Sequence, residues 1–290
     1  MLEFDKYIGI DWSGAKGKNQ PGLQIAIADN GNAAPRLISP PAGKWWSRVQ
    51  VLAWVAELIK DGRSLIGFDF AFAYAHADMG CYFPSTEIDL KSVLDLWSVV
   101  EDTCQGVEGL YGAPFYKRKD MPFHRHFLSP YGKGDLYQPR KRLTEINCQH
   151  VTAPHPVTKC IGAANVGTGS LAGMRVLHRF QNDMNEDIEI WPFEKSLKKS
   201  VAVEIFPRLY FKQAGVNPQN WRDKKTLNHV LKYFGSQPLE VGWMPEREDE
   251  PDALISAAAL RSLSLQPANW LAPEPYLQAT DFEGWIFGVK

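Results

Sequence analysis

Apolar residues recur along this chain with two different periods, and their order outlines its elements. Tyr7 to Asp11 is a short apolar run that reads as a buried strand. Gly22 to Asp29 alternates apolar with small or polar residues, which predicts a second strand, and Asn30-Gly31 is a turn signal. Pro35 to Ser39 is a short third strand, so the first three form an antiparallel meander. Trp46, Val49, Leu52, Val55, Ala56 and Ile59 fall at helical spacing, with Gly62 as the stop. Leu65 to Phe70 is a fourth strand, parallel to the first through that crossover helix.

The pattern then loosens from about Ala71 to Lys159. One helix is predicted from Asp89 to Cys104, followed by a stretch rich in Gly, Pro, Tyr and basic residues. Irregular segments of such length are usually functional or flexible. Order returns with a helix over Leu171 to Phe180, for which Ser170 is the expected N-cap. A short strand at Ile188 to Trp191 and another at Val201 to Ile205 come next. A helix over Asp223 to Phe234 follows, then a nearly all-apolar helix over Asp252 to Leu263, expected to be buried against the sheet. Gly284 to Val289 closes the chain as a last strand or an apolar tail. The prediction is an α/β domain over residues 1–290. Its mixed sheet, antiparallel meander plus parallel strands, is flanked by helices and carries a loop-rich insertion at 106–160.

Five acids interrupt this pattern. Asp11 and Asp69 end apolar strand-like runs, Glu204 sits in Val203-Glu204-Ile205, and Asp249 and Asp252 open the alanine-rich helix. An acid in a buried strand is costly unless something pairs with it, so several together point to a divalent metal ion. Asp249 and Asp252 are three apart and share a face if both are helical. The competing reading is that either one only caps the helix.

The order of these motifs resembles the ribonuclease H-like superfamily, and within it a family of predicted RNase H-like nucleases. The residues carrying the likeness are Gly9-Ile10-Asp11-Trp12-Ser13-Gly14, Gly67-Phe68-Asp69, Trp191-Pro192-Phe193-Glu194, Val203-Glu204-Ile205-Phe206-Pro207-Arg208 and Asp249-Glu250-Pro251-Asp252-Ala253-Leu254. Gly167-Thr168-Gly169-Ser170 and the closing Glu283 to Val289 also match. The resemblance implies hydrolysis of DNA or RNA phosphodiesters with two Mg²⁺ or Mn²⁺ ions, which prefer carboxylate oxygens. It implies Asp11, Asp69, Asp249 and Asp252 as metal ligands, Asp11 bridging both ions. Glu204 is a further ligand or an orienting acid. Characterised ribonucleases H carry a Glu on the first helix. Here that helix offers only Glu57, late in its sequence, and that ligand is not carried over. Two rival readings are an actin-like or sugar-kinase-like ATP-binding phosphotransferase and a non-catalytic nucleic-acid-binding protein of the same fold.

Charge refines the picture in one place. The 290 residues carry 32 basic and 33 acidic groups, which does not mark the whole chain as a nucleic-acid binder. Between Gly112 and Lys159, however, nine basic residues face three acidic ones. Lys117, Arg118, Lys119, Arg140, Lys141 and Arg142 are candidate substrate contacts there. Phe115, Tyr116, Phe123, Phe127, Tyr131 and Tyr137 interleave with the charges. Basic residues track phosphates and rings stack on bases; the alternative is that the rings form a core of their own. Ser13 and Arg208 are further candidates, Ser13 by a backbone turn near a phosphate. Arg208 either contacts a phosphate or pairs with an acid, and pairing is expected. Four cysteines without CxxC spacing point to a reducing compartment. Glu3 and Asp5 stand where an export signal needs basic then apolar residues. No apolar run nears the ~20 residues of a spanning helix, so the expectation is a cytoplasmic protein.

Overall fold

The first apolar run forms β1 (Lys6–Asp11), and the chain returns through β2 (Gln24–Asp29) and β3 (Arg36–Leu37) in antiparallel sense. The computed structural model describes residues 3–162 and 165–290. Helix α1 (Arg48–Leu58) carries the chain to β4 (Ser64–Phe68), parallel to β1. The middle segment contributes α2 (Val93–Thr103), α3 (Pro114–Lys117), the hairpin β5 (Leu128–Ser129) and β6 (Gly132–Lys133), and α4 (Leu143–Cys148). Then come α5 (Val166–Asp183), β7 (Ile188–Ile190), β8 (Ser200–Glu204), α6 (Pro207–Gln213), α7 (Lys224–Tyr233), α8 (Asp249–Leu263) and α9 (Thr280–Glu283). The main sheet runs β3-β2-β1-β4-β8-β7, with β4, β8 and β7 parallel to β1. This is the expected mixed sheet flanked by helices.

Local chemistry accounts for the shifted boundaries. Helix α1 begins at Arg48 because Ser47 and Gln50 form a reciprocal capping box. Ser92 caps α2 by accepting from the Asp95 N–H, leaving Asp89 to Lys91 outside the helix. Helix α5 starts earlier than the periodicity predicts, with Asn165 rather than Ser170 as its N-cap. Ser170 lies within the helix, where its hydroxyl donates to the Val166 carbonyl and accepts from the Ala71 N–H. Of the Gly162 to Ser170 stretch, Ala163 and Ala164 lie outside the described residues. The closing segment is an apolar tail, joined to the sheet by one bridge between Ile286 and Glu204.

Strand alternation divides the core in two. Ile8, Ile10, Ile66 and Phe68 face a layer made by α1, α2 and α5. Tyr7, Leu65, Val201 and Val203 face α6, α7 and α8. Phe115, Phe123 and Phe127 of the insertion are buried in the first layer, Phe115 stacked on Phe123 at 4.5 Å. The rings of the 106–160 segment thus extend the sheet's own core. No helix among the described residues is long and apolar enough to cross a membrane.

The contact that sets the site is between β1 and α8. A Cβ on Gly9 would stand 2.3 Å from the Ala253 carbonyl oxygen and 2.7 Å from the Ala257 nitrogen. Both are backbone atoms, so neither can swing aside. Gly9→Ala is therefore expected to lift α8 from the sheet at a cost of about 1–3 kcal/mol. Urea denaturation measures it, and an unchanged midpoint would show that α8 is free to move.

Candidate metal centre

Period-two alternation puts Tyr7, Gly9 and Asp11 on the face of β1 that meets α8, and Leu65, Gly67 and Asp69 on the same face of the neighbouring chain. Register then places the two acids side by side. Ile10 pairs with Phe68, and the Asp69 N–H donates to the Ile10 carbonyl at 3.0 Å. Ala253 covers Gly9, so the first turn of α8, carrying Asp249 and Asp252, lies toward Asp11. Asp249 also reaches Gly22, just ahead of β2. The carboxyl ends of parallel strands, where side chains from separate strands converge, are the usual place for a site in such sheets.

The acids sense one another strongly. Burial drives the Asp11 carboxyl well above the ordinary range, and Asp252, Asp69 and Asp249 push it further. Asp69 is pushed up to about 7 by burial, offset by a hydrogen bond from Asp11 and reinforced by the Glu204 charge. Asp252 is raised well above its ordinary value by burial, then by Asp69, Glu248 and Asp249. Asp249 is raised by burial and eased by Arg247, whose Nε stands 3.5 Å from its carboxylate. Asp11 is the better proton holder of its pair with Asp69, and it donates to it. No basic side chain among the described residues forms an ion pair with Asp11, Asp69 or Asp252. The capping alternative is not realised at the start of α8, where the N-cap residue Glu248 makes no side-chain cap bond.

Whether these residues suit Mg²⁺ or Mn²⁺ turns on the donor set. Four carboxylates without a matching cation are the oxygen-rich environment such ions prefer. Among the described residues, no three acid, histidine or cysteine side chains yet converge at ligand distance. A divalent ion would compete with the protons that burial and mutual repulsion hold on these acids, so its binding would displace them.

Glu204, expected as a further ligand or an orienting acid, turns to the other face of the sheet from this group. It stands in register with Phe68, on the row of side chains that pleats away from α8. There both carboxylate oxygens accept from the Arg142 guanidinium, at 2.5 and 2.7 Å, and one also accepts from the Phe72 N–H. Arg142 is 1% exposed and also bonds Glu145, so it is held in a buried ion-pair network. Burial works against the Arg142 charge, yet Glu204 and Glu145 hold its pKa above the ordinary arginine value. Glu204→Gln is expected to cost about 3 kcal/mol, since it leaves a buried charge half-compensated. Mn²⁺ affinity per folded molecule should persist. Calorimetry beside urea melts separates the two, and lost metal binding in a folded variant would make Glu204 a ligand after all.

The other basic candidates divide. Arg118 pairs with Asp120 and Arg140 with Asp78, each at 2.5 Å. Lys117 lies over the Tyr131 ring, Lys119 is exposed, and Lys141 is half-buried. Among the described residues, Phe115, Tyr116, Phe123 and Phe127 are packed in the core and line no cleft, whereas Tyr131 is 61% exposed. The Ser13 hydroxyl is engaged with Gln20 and the Ala15 N–H, and its carbonyl accepts from Arg48. Gly14 packs directly on Gly169, so this turn fastens β1 to α5. Arg208 does not pair with an acid among the described residues. It is exposed and donates only from Nε, to Thr152 at 3.0 Å.

Beside Asp69 opens a cleft of about 310 Å³. Its walls include Trp12, Phe70 and Phe206, its depth reaches Arg142 and Glu145, and its rim carries His155 and Arg208. Burial lowers the His155 pKa, and the charges of Lys159, Arg208 and Lys141 lower it further. His155 and Lys159 were not singled out as substrate contacts from the sequence. The one available signal was their place at the end of the basic stretch.

No protein-family model matches the chain, and no curated protein and no solved structure matches it.

Proposed function

We propose that this protein is a divalent-metal-dependent nuclease built on a ribonuclease H-like sheet. The observation that carries the reading is the gathering of Asp11, Asp69, Asp249 and Asp252 where β1 and β4 end, with one basic neighbour, Arg247, among the described residues. An antiparallel meander continued by parallel strands, with the acids on its central strands, supports the finer fold assignment. Mg²⁺ or Mn²⁺ held by these four carboxylates would supply an activated water and charge stabilisation at the leaving oxygen.

The chain's own residues do the rest. Asp11 and Asp69 come from adjacent strands joined by backbone hydrogen bonds, so their separation is set by a rigid support. Asp252 is fixed by α8 pressing on Gly9. Glu204 accepts the Phe72 N–H and thereby steadies the segment that leaves Asp69. Arg208 sits on the side of the cleft where a bound phosphate chain would need positive charge.

The test is incubation with single-stranded, duplex, hybrid and branched nucleic acids in millimolar Mn²⁺, with Asp252→Asn prepared in parallel. Cleavage by the parent and none by the variant is the expected result. Identical products from both would mark the cleavage as contamination and end the reading.

A further inference from the structure

The cleft beside Asp69 has three chemically distinct zones. Its rim carries Arg208, whose two terminal nitrogens bond nothing among the described residues, together with His155. Its walls include the aromatic side chains of Trp12, Phe70 and Phe206. At its depth lie the carboxylates of Glu145 and Glu204 and the guanidinium of Arg142, all otherwise buried. Cation at the mouth, aromatic walls and polar floor follow the order of phosphate, ring and ring edge in a nucleotide. The volume of about 310 Å³ lies at the small end of ligand sites (~300–1,000 Å³), room for one nucleotide and not for a paired one.

We propose that this cleft receives a single unpaired nucleotide, with its phosphate at Arg208 and its base lodged against Trp12 and Phe206. Resting on the nuclease reading, it makes the substrate a strand with an unpaired residue beside the cleaved bond: a single strand, a flap or a frayed end. An intact duplex would first have to give up a base pair, at a cost of a few kcal/mol. Trp12 is held for this role, because its indole Nε1 donates to the Gly169 carbonyl at 3.1 Å. Lys141 and Lys159 add positive charge around His155 and lower its pKa further after burial.

Calorimetry of the metal-free protein with deoxyadenosine 5′-monophosphate, inorganic phosphate and deoxyadenosine tests the cleft without any cleavage. The monophosphate should bind at least about tenfold tighter than either fragment, and Arg208→Ala should remove roughly tenfold or more of that affinity, as loss of a charge-assisted phosphate contact does. Ala153→Trp, on the lining of the cleft, should block binding without altering the melting temperature. Phosphate binding as tightly as the nucleotide, or an unchanged affinity in Arg208→Ala, would overturn the proposal. In cleavage assays, a raised KM for single strands in Arg208→Ala supports it, and an unchanged KM sinks it while leaving the nuclease reading intact. Nucleotide binding that depends on Arg208, in a protein that cleaves nothing, would uphold the cleft and end the nuclease reading alone.

Discussion

Asp11→Asn is expected to lower Mn²⁺-dependent cleavage by at least roughly 100-fold, the loss typical when one charge-stabilising group leaves an active site. Asn keeps the shape of Asp and can still donate to Asp69, so the fold should survive. It cannot supply the anionic oxygen that a divalent cation would prefer. The same substitution should erase the thermal shift that millimolar Mn²⁺ produces in the parent. A ligand at 100 times its Kd stabilises by about 3 kcal/mol, a shift of several degrees in a chain of this size. The metal-free variant should melt no lower than the parent, because Asp11 already holds its proton in the metal-free fold. Initial rates and melting curves with and without Mn²⁺ decide the matter. A variant that kept the parent's metal-induced shift would remove Asp11 from the centre.

The second large effect is on stability against pH. The Asp69 carboxyl is pushed up to about 7 in the fold, while its value in the unfolded chain is 3.8. Below about pH 4 both states are protonated and the group contributes nothing. As pH rises from about 4 to 7 the unfolded chain releases its proton and the folded chain keeps it, so stability falls; above about 7 the penalty is complete. At 1.36 kcal/mol per unit the whole effect is about 4 kcal/mol, to be divided among carboxyls that share protons. About half of that fall, ~2 kcal/mol, lies above pH 5.5, so metal-free protein should melt roughly 3–5 °C lower at pH 8 than at pH 5.5. Saturating Mn²⁺ should abolish most of the difference, with affinity that rises with pH because binding displaces protons. Asp69→Asn should flatten the metal-free profile. A parent profile already flat between pH 5 and 8 would mean that the acids are not in contact.

Arg208 and Arg142 show how burial reassigns residues that look alike in sequence. Both are arginines near motif acids, and pairing was expected for Arg208 while Arg142 counted as a surface contact. Arg142 is the buried partner of Glu204, brought there by a chain separation of 62 residues that no local pattern discloses. Its spacing of three from Glu145, at the start of α4, was the one available hint. The aromatic residues of the insertion likewise alternate with charges for a reason that sequence leaves open. Only packing showed that four of the six rings are buried rather than turned to solvent.

The sequence by itself determined the strands of the main sheet and its longer helices, and it singled out the acids of the proposed centre. Apolar runs, a turn signal and helical spacing are local properties, and an acid ending a buried strand stands out because its burial is costly. Tertiary structure alone decided which acids meet. Parallel register set Asp11 beside Asp69, and the absent side chain of Gly9 let α8 close over β1 to deliver Asp249 and Asp252. Those outcomes depend on distances between segments far apart in the chain, which are settled by packing.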